Sequence, residues 1–170
     1  MDIINLLNEK SFLGQEFLTW LWWMSDEGRD FTLPDGRNLT IALGERLSLS
    51  PIMGQEGNRV ASSGKDKGLA EAREALRQGK LVDNLRLVFL IDGEEYWLTL
   101  DSFTLTPRSI RLPQSADKEE EGLDADAQAL ERISLMESLL KAHDFLFQTY
   151  LQTRLQQQGH WPALAGWMNA

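Results

Sequence analysis

"LRLVFLIDGEEYWLTL", residues 85–100, is the stretch from which the fold can be read. Asp92-Gly93 stands between two alternating apolar runs, and Asp-Gly there favours the left-handed backbone of a two-residue hairpin turn. With that pair as the loop, Ile91 faces Glu94, Phe89 faces Tyr96, Leu87 faces Leu98 and Leu85 faces Leu100. This register gives the hairpin one apolar face and leaves Arg86, Glu95 and Thr99 on the other, beside Val88 and Trp97. A lone hairpin is marginal in water, so the apolar face calls for more strands and a covering helix.

Both are expected nearby. Upstream, "FLGQEFLTWLWWMSDE" (12–27) repeats apolar residues at three and four: Leu13, Phe17, Trp20, Leu21 and Met24 form one stripe, with Ser11 as a candidate N-cap. Gly14 weakens the first turn slightly. Leu18, Trp22 and Trp23 fall on other faces, so this helix is apolar nearly all round and must be deeply buried or shared with a partner. Leu13, Phe17, Trp20, Leu21 and Met24 are assigned to the sheet, and Trp22 and Trp23 to an interface.

"FTLPDGR" (31–37) leads into Asn38 to Leu43 as a second hairpin, and Arg46 to Ser50 alternates as a further strand. Pro51 to Lys67 is rich in Gly and Ser, a loop with a short strand near Val60. Leu69 to Gln78 reads as a helix closed by Gly79. A long helix is expected over 124–158, with Ile133, Met136, Leu140, His143, Phe147, Tyr150 and Leu151 as its apolar stripe. The expected organisation is an α+β domain over 1–113, built of antiparallel hairpins on a Trp-rich N-terminal helix. An acidic linker (114–123), the long helix (124–158) and an irregular tail (159–170) follow.

Composition excludes several classes. The chain has 170 residues, enough for one domain with a real core, and no cysteine, hence no disulfide or thiolate metal site. Met1 reads as a genuine start, and MDIINLLNEK has no basic, apolar leader pattern. No apolar run approaches the roughly 18 to 20 residues of a membrane span. The net charge of −9 argues against phosphate binding, but it is uneven. Residues 115–131 carry seven acids against one lysine, whereas 58–86 carry seven bases against four acids.

Catalytic chemistry is hard to find. His143 lies on the apolar stripe of the last helix and His160 in the tail; neither belongs to a metal-ligand pair. There is no nucleophile elbow and no Walker-type phosphate loop. Of the densest acids, Asp92 is explained by the turn, and Glu94 and Glu95 point to opposite faces, so a Mg²⁺-dependent nuclease lacks convergent carboxylates. The tryptophans are interleaved with too few cations for a base-stacking platform. No catalytic residue, metal ligand, cofactor or small-molecule substrate is assigned.

Taken in order, "FLGQEFLTWLWWMSDE", "FTLPDGR" and "AREALRQGKLVDNLRLVFLIDGEEYWLTLD", together with the last helix, resemble the C-terminal half of the recombination-associated RdgC family. The resemblance covers about two-thirds of the chain, through structural rather than catalytic motifs. It implies a bacterial, cytoplasmic, nucleoid-associated protein that binds double-stranded DNA without sequence preference and pairs as a ring-shaped dimer. An exonuclease label attached to that family finds no motif here. By position, Arg59, Lys65, Lys67, Arg73, Arg77 and Lys80 match the family's basic stretch and are the candidate phosphate contacts. The alternatives are a self-associating interaction module that has lost DNA binding, using Trp22 and Trp23, and a Mg²⁺-dependent exonuclease.

Overall fold

The computed structural model describes residues 3–52, 55–64, 67–113, 125–156 and 160–170, without the side chains of 3–12, 67, 68 and 161. Helix α1 (Ile3–Asp26) precedes β1 (Asp30–Thr32), β2 (Asn38–Ser50) and β3 (Val60–Ser63). Helix α2 (Lys67–Arg77) leads into β4 (Leu81–Ile91), β5 (Glu94–Asp101) and β6 (Arg108–Arg111), and α3 (Ala125–Gln156) and α4 (His160–Met168) complete the chain. The six strands form one antiparallel sheet in the order β1-β2-β4-β5-β6, with β3 also paired to β2, so the protein is α+β.

The β4–β5 hairpin has the expected register, from Ile91 opposite Glu94 to Leu85 opposite Leu100. Asp92 and Gly93 adopt φ of 49° and 84°, the left-handed pair that a type I′ turn requires. Asp92 also ties the turn to the start of β2, because its Oδ1 accepts a hydrogen bond from the Asn38 backbone N–H. Residues 38–50 form one strand rather than two, because the register shift between Leu43 and Leu47 is absorbed as a bulge.

Leu39, Ile41, Leu85, Leu87, Phe89, Tyr96, Leu98 and Leu100 are buried together with Phe17, Leu18, Trp20, Leu21 and Trp22 of α1. This helix is apolar all round because it is enclosed: sheet, α3 and α4 all contact it. Phe17 meets Phe147 and Tyr150 of α3, and Trp20 meets Phe31 and Tyr150. Thr19, the polar interruption, donates to the Gln15 carbonyl and accepts from the Val82 N–H, pinning α1 to the start of β4. Ser11 lies inside α1 rather than capping it, the helix beginning at Ile3.

Two expectations about the C-terminal region are corrected. The buried residues of α3 are Leu139, Ala142, Leu146 and Tyr150, whereas Ile133 and Leu140 of the expected stripe are 56% and 43% exposed. The expected irregular tail contains α4. Pro162 falls in its first turn, where a missing N–H costs no helical hydrogen bond. The acidic linker at 114–123 lies outside the described residues. No helix among the described residues is long and apolar enough to cross a membrane.

His143 packs edge-on against Phe17, and burial holds its imidazole below the usual histidine range despite the opposing Asp144 carboxylate 3.6 Å away. A base whose folded-state pKa is depressed favours the native state above its unfolded value, and that contribution is lost as pH falls. Denaturant midpoints should therefore drop between about pH 7 and about pH 5, and His143→Phe should flatten that dependence. Parallel curves for the two proteins would show that His143 does not drive it.

Candidate nucleic-acid interface

The helices cover one face of the sheet; most side chains that alternate onto the other face are half-buried or exposed, Val88 and Ser48 being buried there. Register builds a site there. Val88, Trp97 and Arg111 are cross-strand partners in one row, and Arg86, Thr99 and Arg108 in the next. Arg46 of β2 extends the group, near enough that its charge and that of Arg111 both act on Arg86. Residues from three strands thus bring Arg86 and Arg111 to Trp97, with Arg46 of β2 near Arg86.

Two irregularities hold Arg86 in place. Gly44 lies in the β2 bulge, and a Cβ there would sit 2.4 Å from Arg86 Cγ and 2.9 Å from its Cβ. Only glycine leaves room for the Arg86 stem to cross β2. In β6 a second register shift surrounds Ser109, whose φ of 50° is left-handed. Its carbonyl accepts a hydrogen bond from Arg86 Nη1 at 2.7 Å, and the same nitrogen donates to Thr99 Oγ1 at 3.0 Å. Bulges re-aim groups that a regular ladder would misplace, and here two of them converge on one guanidinium.

The electrostatics are uncompensated. The Arg86 guanidinium lies 5.5 Å from the Trp97 ring centroid and that of Arg111 5.9 Å, within cation–π range. Burial lowers the Arg86 pKa, and the neighbouring charges of Arg111 and Arg46 lower it further, although an arginine stays charged. Among the described residues none of the three is in an ion pair. Glu95, an acid on this face, accepts from Trp97 Nε1 instead. Arg108, at the edge, is neutralised by Asp101.

Of the six cations expected to bind phosphate, three are occupied in pairs outside this cluster. Arg59 pairs with Asp83 at 3.1 Å and donates to Ser48 Oγ. Arg73 pairs with Asp26 at 2.6 Å, its guanidinium 5.5 Å from the Trp22 ring and 5.1 Å from that of Trp167. Burial works against the Asp26 charge, but hydrogen bonds from Arg73 and Trp167 outweigh it and hold the carboxyl below its ordinary range. Arg77 pairs with Glu74 and donates to the Ala170 carbonyl. Lys80 is half-buried without an ion pair, Lys65 is outside the described residues, and of Lys67 only its place at the start of α2 is described.

Trp22 is 1% exposed and covered by Trp167, so it belongs to the core and cannot face a partner. Trp23 is half-buried; it stacks on Trp167 and donates to Glu27. Trp22 is core for one reason: α4 returns to α1, bringing Trp167 over these rings, while Trp23 keeps part of its surface exposed. Asp101, at the end of β5, accepts from the Phe103 and Thr104 backbone N–H groups. No three His, Asp or Glu side chains among the described residues are placed to hold a metal ion.

Arg86 and Trp97 were recognisable as sharing the outer face of the hairpin. Arg46 and Arg111 were not connected to them, since only the β2–β4 and β5–β6 pairings make them neighbours. No family model, curated protein or solved structure matches the chain.

Proposed function

We propose that this chain is a non-enzymatic, sequence-nonspecific double-stranded DNA-binding protein of the RdgC type, acting at the bacterial nucleoid in recombination. The observation that carries this reading is the cluster of Arg46, Arg86 and Arg111 beside and at Trp97, three cations with no carboxylate partner among the described residues, on the sheet face away from the helices. Phosphate contacts require local, not total, positive charge, so a molecule of net charge −9 can bind a polyanion through such a face. Duplex affinity should fall steeply with salt. Replacing all three arginines with alanine should lower the slope of log K against log salt by about 3, near one unit per lost contact. Lys65, Lys67 and Lys80 are kept as further candidate contacts. Alanine at Arg59, Arg73 and Arg77 should instead change stability more than slope, since these side chains serve internal ion pairs. Absence of duplex binding at low salt would refute the proposal.

A second reading, self-association, is favoured by the first half of α3. Leu130, Ile133 and Leu140 are 67%, 56% and 43% exposed and lie on one side of the helix at spacings of three and seven. A helix stripe of that kind is suited to a second copy of the chain. Sedimentation at several concentrations should show association that Leu130→Glu with Ile133→Glu abolishes; a strict monomer would remove this reading.

A further inference from the structure

The geometry points to a phosphate-chain site that needs no base: Arg46 and Arg111, on β2 and β6 either side of the β4–β5 hairpin, grip separate phosphates of one chain, while Arg86, Trp97 and Gly44 position them. This rests on the sheet-face site described above and goes beyond duplex binding, because it predicts a second ligand, inorganic polyphosphate. Three observations lead there. First, Arg46 and Arg111 are exposed and in no ion pair among the described residues, whereas Arg86 is half-buried with one nitrogen already bonded to Thr99 and Ser109. The first two therefore have donors free for a ligand, and Arg86 is a positioning residue.

Second, the Trp97 ring faces the guanidinium groups of both Arg86 and Arg111, and its N–H is directed to Glu95. A ring engaged by two cations orients charge; it is poorly placed to stack a base, the use expected of a single-strand platform. Third, three like charges are held together by bulges and a glycine rather than by acids. Such a site is relieved by an anion carrying several adjacent charges more than by a single one, and arginine forks match phosphate oxygens. The cations need only phosphate oxygens, so ribose, deoxyribose or no sugar at all should serve equally.

The test uses the full chain with three probes: random duplex DNA, a dT oligonucleotide and long-chain inorganic polyphosphate. Polyphosphate should bind directly and displace duplex. Arg46→Ala and Arg111→Ala should each weaken duplex and polyphosphate alike, by roughly tenfold. Trp97→Ala should weaken both in parallel, and Trp97→Phe, which keeps a ring for the cations, should lose less. Gly44→Ala should act like Trp97→Ala by displacing Arg86; if it fails to fold, judged by its melt, the Trp97 pair carries the same comparison. Failure of polyphosphate to bind, or binding indifferent to Arg46 and Arg111, overturns the inference even where duplex still binds. Tryptophan quenching by the dT oligonucleotide that vanishes in Trp97→Phe would overturn the role given to Trp97. Polyphosphate binding without duplex binding would instead sink only the DNA reading.

Discussion

Arg154→Met is expected to destabilise the protein by about 3 kcal/mol, the lower end of what breaking a buried ion pair costs. Glu16, in the middle of α1, is 0% exposed, and its Oε1 accepts from Arg154 Nε at 2.9 Å. The His160 imidazole lies 3.3 Å from the same oxygen, and the Tyr150 phenol is buried beside it. Burial, and then the Glu16 charge, push the Tyr150 pKa above the usual phenol range, so the phenol keeps its proton. The arginine is 35% exposed at its side chain and loses little when left alone; the carboxylate has no access to water. The cost of breaking the pair is therefore asymmetric. Glu16→Gln should cost distinctly less than Arg154→Met, and adding Glu16→Gln to Arg154→Met should recover part of the loss. Urea denaturation of the three variants measures this. Equal costs for the two single changes would mean that Glu16 is hydrated in solution and that the pair does not tie α3 and α4 to α1.

Gly14→Ala is expected to destabilise by about 3 kcal/mol, although helix propensity alone forecasts a gain of about 1 kcal/mol. A Cβ at residue 14 would lie 1.9 Å from the Ser102 carbonyl oxygen and 2.9 Å from its carbon. Both are backbone atoms, and Ser102 is itself fixed by a hydrogen bond to the Asp83 carbonyl. No side chain can rotate away, so α1 must lift from the end of β5 and loosen the packing of Phe17 and Leu18. The sign of the effect decides the matter. A stabilised or neutral variant in the same denaturation experiment would show that α1 sits farther from Ser102 than the structure has it.

Gly14 also shows where reading a sequence stops. As a letter in a helix it is a small local defect; in the fold it is the point at which a helix approaches a strand end within backbone contact. Glu16 is similar. It reads as one flanking acid among several until α3 delivers Arg154 from 138 positions away. The β4–β5 hairpin is the opposite case. Its register depends on two turn residues and the alternation beside them, all within sixteen residues, and it was legible in full.

By itself the sequence determined the α+β class, the β4–β5 hairpin and a helix over Leu69 to Gln78, which the structure places at Lys67–Arg77. It determined equally that the Trp-rich helix had to be enclosed. All of these follow from turn chemistry and apolar period, which act between residues close in the chain. Tertiary structure alone decided what encloses that helix, that Trp22 is core, and that Arg86 and Arg111 meet at Trp97 with Arg46 near Arg86. These depend on which strand edges pair and where two bulges shift the register, and such choices are made by packing between distant segments.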